Sequence, residues 1–244
     1  MSTGKWLQAV KTFVDENLRR LAQCTLDISG RLVDASNATL LASATFEGQE
    51  FRCIYKPEAG ERPLWDFPSG SLAQREYATF LFSYLMQDYL VPPTVLREGP
   101  FGRGMVQLWI DVDENVDLMD YFQEDNEQLR RLALFDAVVN NTDRKIGHLL
   151  PRKDGRLFAC DHGVTFHEDD KLRTVLWQWA DQPLTTQEGA WLEKARDVAN
   201  DLRLSELINS EEISALKQRI KRLIDSNKFP SPSEEWPAVP WPPF

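Results

Sequence analysis

Three side chains that could bind a metal ion or transfer a proton lie close together in the middle of the chain. Asp143 and His148 belong to the stretch NNTDRKIGHLL, and Asp161 opens a DHG motif eleven residues after that stretch ends. Carboxylates bind Mg²⁺ and Mn²⁺ through oxygen and can accept a proton, and a neutral imidazole can ligate a metal. The spacing is compatible with metal-assisted group transfer, and equally with solvated charges in loops.

A lysine and a glutamate in the first third of the chain could complete such a site. Lys56 ends the apolar, strand-like run CIYK, so its ammonium is expected at a sheet edge. Glu76 lies in a predicted helix, where Ala73 and Phe80 share its face by i−3 and i+4 spacing. An unpaired carboxylate on an apolar face is costly, which makes Lys56 the expected partner. Phosphoryl transfer from ATP requires such a held lysine, a metal-binding carboxylate and an acid that orients a hydroxyl.

Each of these residues also has an ordinary interpretation when taken alone. Lys56 could be a surface lysine at a strand end, and Glu76 a solvated helix charge. Asp143 could form an ion pair with Arg144 in a turn, and Asp161 could close an Asx turn. The order and spacing of the whole set, rather than any single residue, favour a nucleotide site.

The histidines suggest a second kind of site, which the sequence disfavours. His148, His162 and His167 are near one another and could belong to a metallohydrolase. The motif order is Asp-His rather than His-Asp, and the chain has no H-x-x-x-H pair among them, so the usual metal-ligand spacing is missing.

Hydrophobic periodicity predicts the elements that must position these residues. Residues 6–21 carry a helical apolar stripe, and residues 25–56 read as short antiparallel strands. Ser71 and Gln74 fit a capping box at the start of the next helix. The segment VPPTVLREGPFGRGMVQLWIDV then gives two strand candidates separated by a Gly/Pro turn.

Beyond residue 112 the chain reads as mainly helical. Helices are predicted at EQLRRLALFDAVVN and near residues 186–199 and 211–225, with Ser210 as the N-cap of the last. Residues 229–244 hold six prolines and two tryptophans, which predicts an extended strap or a disordered tail.

This order of elements predicts an α+β, two-lobed fold with a β-rich N-lobe, a mainly helical C-lobe and a cleft between them. The expected boundaries are 1–108 for the N-lobe, 109–228 for the C-lobe with the catalytic and metal-binding loops, and 229–244 for the tail.

Composition excludes several functional classes. The net charge of −10 over 244 residues opposes non-specific binding to nucleic acid or to an anionic bilayer. Three cysteines without a CxxC pair exclude a disulfide framework and most zinc sites, and are typical of a reducing cytoplasm. No signal peptide is expected at the N-terminus, and no apolar run approaches the roughly 20 residues of a membrane span.

Four motifs together resemble a known superfamily. FRCIYKPEAGERP, GMVQLWIDV, NNTDRKIGHLL and ACDHGVTFH are similar to the phosphatidylinositol 3-/4-kinase-like superfamily, nearest the type II phosphatidylinositol 4-kinases and their small bacterial relatives. The whole chain, including VLWQWADQPL and VPWPP, also resembles an actinobacterial family of kinase-like proteins. The resemblance implies a protein-kinase-like fold that uses ATP with Mg²⁺ or Mn²⁺.

On the nucleotide side, the resemblance implies that Lys56 contacts ATP phosphates and that Glu76 holds Lys56. Further contacts to the nucleotide are expected from a loop and from the strand that leads into the hinge: Ser36, Asn37, Thr39, Gln107, Trp109 and Asp111. The loop contains no glycine pair, so hydroxyl and backbone donors would replace a glycine-rich cradle.

On the metal side, the resemblance implies that Asp143 is the catalytic aspartate and Asp161 the principal metal ligand. His148 stands five residues after Asp143, where the superfamily usually has a metal-binding asparagine. His148 is therefore expected as the second metal ligand, although imidazole suits Mg²⁺ less well than an amide oxygen does.

The expected activity is ATP-dependent transfer of the γ-phosphate to a hydroxyl on a small molecule or a protein. A lipid acceptor is less favoured, because no basic or acylated membrane patch is present. The alternatives are a catalytically silent nucleotide-binding regulator and an AMP transferase on the same fold. The expected partners are ATP and an unidentified acceptor, without nucleic acid or stable membrane insertion, for a cytoplasmic monomer.

Overall fold

The computed structural model describes residues 3–32 and 38–244, with side chains from residue 8 onward. The chain divides into two compact units, Met1–Ile110 and Asp111–Phe244. The first unit contains an antiparallel sheet and the second is mainly helical, which gives the α+β class that the sequence predicts.

The first unit begins with a helix and continues with a sheet, and a second helix lies between the third and fourth strands along the chain. In the residues described, the sheet has five strands in the order β1-β2-β3-β5-β4, and all neighbouring strands are antiparallel. The elements are α1 (Thr3–Gln23), β1 (Thr25–Arg31), β2 (Leu40–Phe46), β3 (Gln49–Pro57), α2 (Leu72–Met86), β4 (Thr94–Gly99) and β5 (Gly102–Leu108).

Local sequence explains the start of the sheet. Strands β2 and β3 join through Glu47 and Gly48, whose φ angles of 51° and 77° both lie in the left-handed region. A two-residue hairpin with positive φ at both positions matches the twist of the strands, and glycine takes this conformation without strain. The short antiparallel strands predicted over residues 25–56 are confirmed where the structure describes them.

The apolar stripe predicted for α1 is confirmed where its side chains are described. Val10, Val14 and Leu21 are buried at 3%, 0% and 0% exposure. No helix within the described ranges is long and apolar enough to cross a membrane.

The capping box predicted at the start of α2 is wrong. The Ser71 side chain makes no cap hydrogen bond, and its hydroxyl instead donates to the Pro68 carbonyl at 2.6 Å. The Glu61 carboxylate accepts from the backbone N–H groups of Leu72 and Ala73 at 3.0 and 2.8 Å. A carboxylate from the preceding loop therefore caps the helix and also meets the positive end of its dipole.

The second unit consists mostly of helices around a short hairpin. Its elements are α3 (Leu118–Tyr121), α4 (Glu127–Val139), β6 (Leu149–Pro151), β7 (Leu157–Ala159), α5 (Thr186–Val198), α6 (Leu202–Ser205) and α7 (Ser210–Ser226). Helix α4 lies at the centre of the core, where Leu129, Leu132, Phe135 and Val138 are fully buried. The segment between α4 and β6 carries Asp143 and His148, and the loop after β7 carries Asp161.

The N-cap of α7 is Asn209 rather than the predicted Ser210. Asn209 Oδ1 accepts from the Glu212 N–H at 2.8 Å, and the Glu212 carboxylate accepts from the Asn209 N–H at 2.9 Å. The Ser210 hydroxyl donates to the Glu211 carboxylate at 2.8 Å and takes no part in the cap.

The tail at residues 229–244 forms the extended strap, which was one of the two predicted alternatives. The Ala238 carbonyl accepts from the Thr174 N–H at 3.0 Å and from Trp177 Nε1 at 2.9 Å. The Pro243 carbonyl accepts from the Ile146 N–H at 2.9 Å. The strap thus contacts the loop that follows Asp143.

Candidate active site

In the first unit, Lys56 and Glu76 form a close ion pair. Lys56 lies near the end of β3, and its Nζ is 2.5 Å from Oε1 of Glu76 on α2. The Glu76 side chain is 1% exposed and the Lys56 side chain 17% exposed. Burying the carboxylate would be costly without a cation, so the pair compensates that cost and fixes the lysine ammonium at the end of the strand.

Gly104 allows the strands to approach each other beside Lys56, and sequence reasoning missed this role. Gly104 on β5 is paired with Pro57 on β3. A Cβ at position 104 would lie 2.4 Å from the Lys56 carbonyl oxygen and 2.6 Å from the Pro57 Cα. These are backbone atoms that cannot rotate away, so only glycine fits the register that positions Lys56.

The loop predicted to cover the nucleotide is described from residue 38 onward, which includes Thr39. Ser36 and Asn37 lie outside the described residues. Thr39 is 6% exposed, and its carbonyl accepts from the Leu32 N–H at 2.9 Å. The nucleotide contacts of these three residues stay predictions.

Some of the groups predicted to meet adenine have partners within the sheet. The buried Gln107 side chain donates to Thr94 Oγ1 at 2.9 Å. The Trp109 N–H donates to the Arg52 carbonyl at 3.1 Å, and the Arg52 guanidinium lies 5.0 Å from the centre of the Trp109 ring. Asp111, an exposed residue, begins the second unit. The nucleotide-binding roles of Gln107, Trp109 and Asp111 also stay predictions.

In the second unit, a buried asparagine fixes the backbone at Asp143. The Asp143 N–H donates to Asn141 Oδ1 at 3.0 Å, and the Asn141 side-chain amide donates to Asp136 Oδ1 at 3.0 Å. The Thr142 N–H donates to the Val164 carbonyl at 3.0 Å. The Asp143 carboxylate itself is 29% exposed, so it remains accessible on a backbone held from both sides.

The surroundings of Asp143 make its carboxyl a stronger base than an ordinary aspartate. Burial raises the pKa of Asp143 and the negative charge of Asp161 raises it further, while Lys145 and Arg173 oppose these effects. The nearest cationic atoms, Lys145 Nζ and Arg173 Nη2, lie 3.7 and 3.8 Å from the carboxylate oxygens. A raised pKa improves proton acceptance, as a general base requires.

Arg144 does not form the turn ion pair with Asp143 that was one reading of the sequence. Its fully buried guanidinium donates from Nε and Nη2 to the two oxygens of Asp136, at 2.8 and 3.0 Å. Nη1 donates to the Cys160 carbonyl at 2.8 Å, and Nη2 lies 2.6 Å from His162 Nε2. Arg144 therefore ties the loop of Asp143 to the residues on either side of Asp161.

Sequence reasoning missed the buried pair of Asp136 and Arg144. The signal that could have found it is the single acid in the apolar run LALFDAVV of α4. Asp136 is 0% exposed, and a carboxylate at that depth requires a bidentate cation such as Arg144.

Asp161 is the exposed acid at this site. Its side chain is 48% exposed, and its φ of 59° lies in the left-handed region, which a residue other than glycine seldom adopts. His148 closes a short 3₁₀ turn, and its Nε2 is 3.5 Å from Asp161 Oδ2. The structure therefore brings the two predicted metal ligands next to each other.

The hydrogen bonding of His148 defines its tautomer. Nδ1 accepts from the Lys145 N–H at 3.3 Å, so the neutral ring carries its hydrogen on Nε2, on the side of Asp161. In that form the Nε2 hydrogen lies on the side of the Asp161 carboxylate, 3.5 Å from Oδ2, and ligation through Nε2 would require the other tautomer.

The donor set suits a metal ion that is shared with a ligand better than a site built from protein alone. Among the described residues, no group of three or more histidine, cysteine, aspartate or glutamate side chains is arranged to hold a metal ion. Mg²⁺ is commonly bound by one or two carboxylates together with substrate phosphates. The exposed carboxylate of Asp161 fits that arrangement.

Comparison with known proteins identifies a close relative. No protein-family model matches the chain. Protein Rv2133c of Mycobacterium tuberculosis (strain ATCC 25618 / H37Rv) is 38% identical, over 96% of this chain and 97% of its own length. The chain belongs to the Rv2133c family. The similarity runs along nearly the whole length of both chains.

Solved structures show how this family folds. Hydra Fam20, solved with sugar, is similar with a TM-score of 0.56 at 14% identity, over 87% of each chain. The Golgi casein kinase with Mn and ADP bound gives a TM-score of 0.52 at 13% identity, over 88% of this chain and 75% of that one. Identities this low show a shared fold alone. The predicted α+β, kinase-like fold is confirmed, and the finer resemblance to type II phosphatidylinositol 4-kinases stays a prediction.

Proposed function

We propose that this protein is an ATP-dependent phosphotransferase that moves the γ-phosphate to a hydroxyl on a small molecule or a protein. The observation that carries the proposal is the pair of Lys56 and Glu76, with 2.5 Å between Nζ and Oε1, on a kinase-like fold. A lysine fixed by a buried acid is the part that holds ATP phosphates in such enzymes.

In the proposed reaction, each residue has one task. Lys56 donates to the phosphates, and Glu76 keeps its ammonium in position. Asp161 holds Mg²⁺ or Mn²⁺, which neutralises charge on the phosphates when it is bound. Asp143 accepts the proton of the acceptor hydroxyl. The hydroxyl oxygen bonds to the γ-phosphorus, the bond from that phosphorus to the β–γ bridging oxygen breaks, and ADP leaves.

The remaining predicted contacts are proposed for nucleotide recognition. Ser36, Asn37 and Thr39 would supply donors to the phosphates. The Trp109 N–H is engaged with Arg52, so adenine would meet the Trp109 carbonyl and the backbone of Asp111 instead. The Golgi casein kinase was solved with Mn and ADP, which supports the choice of ligands.

The role of His148 has two versions. In the predicted version, His148 ligates the metal beside Asp161. In the version that its hydrogen bonds favour, His148 positions the Asp161 carboxylate by donating from Nε2. The hydrogen bond that Nδ1 accepts from the Lys145 N–H also favours the silent alternative, in which the protein binds nucleotide and regulates a partner without turnover.

Product analysis separates these functions. Incubation with ATP and either Mg²⁺ or Mn²⁺, in the presence of a metabolite extract, should yield ADP and a phosphorylated acceptor. AMP attached to a target, or pyrophosphate, would instead identify an AMP transferase, and intact bound ATP a silent regulator. We also propose that the protein is a cytoplasmic monomer. Sedimentation of the purified protein tests its oligomeric state.

A further inference from the structure

The second unit contains a cavity that the proposed reaction does not use. Its volume is about 270 Å³, and it is lined by residues of α4, α7 and the segments around residues 170–177 and 226–233. Much of its lining is apolar, with Trp177 and Leu223 on its walls. The charged residues of the lining are Asp170, Arg219, Arg222 and Lys228.

Arg219 is the unusual member of this lining. Its side chain is 5% exposed, its Nε donates to the Val138 carbonyl at 3.2 Å, and its Nη1 donates to the His167 carbonyl at 3.0 Å. Nη2 is buried and has no hydrogen-bond partner among the residues that the structure describes. Burial lowers the pKa of Arg219 to about 10. A cation at this depth is stabilised by an anion, and the protein provides only part of that compensation.

The charge of the cavity wall is positive in a protein that is strongly acidic. Three cationic side chains (Arg219, Arg222 and Lys228) and one carboxylate (Asp170) line it, so the difference is two positive charges. Asp170 is shared, because it lies 3.6 Å from Arg219 Nη1 and also pairs closely with Arg222. The whole chain carries −10, so this wall differs in sign from the rest of the molecule.

We propose that this cavity binds a small organic anion. Its apolar body would lie against Trp177 and Leu223, and its phosphate or carboxylate would pair with Arg219, Arg222 and Lys228. The volume accommodates a molecule of the size of a single aromatic ring with an acidic substituent, below the usual range for drug-sized ligands. This site does not depend on the phosphotransferase proposal, since none of its lining residues takes part in that reaction.

The probes are phenyl phosphate, benzoate and the neutral benzyl alcohol, each titrated into the full-length protein. Binding is followed by calorimetry and by the NMR signal of the Trp177 indole N–H. We expect phenyl phosphate or benzoate to saturate below about 10 mM, the weak end of specific binding, and to shift the Trp177 signal. Benzyl alcohol should bind at least about tenfold more weakly, because it lacks the charge.

The matched variants are Arg222→Glu and Lys221→Glu, adjacent exposed residues of α7 with the same change of charge, of which only Arg222 lines the cavity. Arg222→Glu should weaken anion binding about tenfold or more, and Lys221→Glu should change it less than about twofold. If Arg222→Glu fails to fold, Lys228→Glu takes its place, because Lys228 is also exposed and lines the cavity.

Three results would overturn the proposal. The first is the absence of saturable binding of either anion. The second is equal affinity for the anions and for benzyl alcohol. The third is an equal loss of affinity in Lys221→Glu and in the cavity variant, because that would indicate a general effect of surface charge.

Discussion

At the scale of the residue, the Asp143 carboxyl has a raised pKa because it is buried and lies near Asp161. The folded state therefore binds more protons than the unfolded state between the ordinary pKa of aspartate and the raised one. Stability falls as pH rises through that window and stays reduced above it. A carboxylate that destabilises the fold at neutral pH is the pattern expected of a residue kept for function.

We predict that Asp143→Asn is more stable than the wild type at neutral pH and that this advantage disappears in acid, below the ordinary pKa of aspartate. Turnover should fall by about 10²–10⁴-fold, the usual contribution of a general base. Thermal unfolding across pH and a turnover assay measure the two effects.

The control for this prediction is Asp201→Asn. The hydrogen bond from the Arg203 side chain holds the pKa of Asp201 below its ordinary value. The stability from this pair is present above the ordinary pKa and is lost as pH falls through the folded one, so this variant should be less stable at neutral pH. A destabilised Asp143→Asn protein at neutral pH would contradict the assignment of Asp143.

The role of His148 is tested by metal preference. If its imidazole ligates the metal, Mn²⁺ should support tighter ATP binding than Mg²⁺, because Mn²⁺ accepts nitrogen more readily, and His148→Asn should restore Mg²⁺. If His148 donates to Asp161, His148→Ala should weaken ATP binding equally with both metals. Affinities of the wild type and both variants with each metal distinguish the two versions, and unchanged affinity in both variants would exclude both.

At the scale of the element, a contact that sequence cannot reveal positions Lys56. A Cβ added at Gly104 would lie 2.4 Å from the Lys56 carbonyl oxygen and 2.6 Å from the Pro57 Cα. We predict that Gly104→Ala lowers stability by about 1–3 kcal/mol through overpacking, and reduces turnover because Lys56 is displaced. Urea denaturation measures the first effect. Gly30→Ala is the control, since nothing lies within 4 Å of a Cβ on Gly30 of β1, and an equal loss in both would contradict the steric explanation.

The capping of α2 gives a second prediction at this scale. The two Glu61 oxygens accept from the Leu72 and Ala73 N–H groups, and Glu61→Gln replaces one of them with an amide nitrogen and removes the negative charge. This change should cost about 0.5–2 kcal/mol of stability, as the loss of an N-cap does. Ser71→Ala should cost less, because the Ser71 hydroxyl makes no cap bond. Chemical denaturation of both variants measures the two losses of stability and shows whether Glu61 or Ser71 caps the helix. A larger loss in Ser71→Ala would restore the capping box.

The longer helices and the strands of the first unit were predictable from the sequence because their apolar periodicity is local. The cap of α2 was not, since Glu61 lies eleven residues before the N–H group of Leu72 that it accepts from. The N-cap of α7 was missed by one position, because Asn209 and Ser210 are both good N-cap residues and only backbone geometry separates them.

At the scale of the whole molecule, the α+β class and the kinase-like fold were predictable because the order of elements and four ordered motifs pointed to the same result. The pairing of Lys56 with Glu76 followed from the cost of a buried acid. The pairing of Asp136 with Arg144 follows from the same cost, but the partners are eight positions apart, across the end of α4 and the loop after it, and an exposed turn was as consistent with the sequence. The anion cavity has no sequence signal, because its lining comes from separate segments of the second unit.

The central claim is tested most directly by identifying the nucleotide product. We expect the wild-type protein, given ATP, Mn²⁺ or Mg²⁺ and a metabolite extract, to form ADP together with a phosphorylated acceptor. Lys56→Ala and Asp161→Ala should each lower the rate by at least about 10²-fold while each variant still unfolds in one cooperative thermal transition. For Lys56→Ala that transition should move to a lower temperature, because the buried Glu76 carboxylate loses its cation. Asp169→Ala, which removes a carboxylate that is 71% exposed, should leave the rate unchanged. ADP formation at the wild-type rate in Lys56→Ala or Asp161→Ala, or AMP as the product of the wild type, would contradict the account.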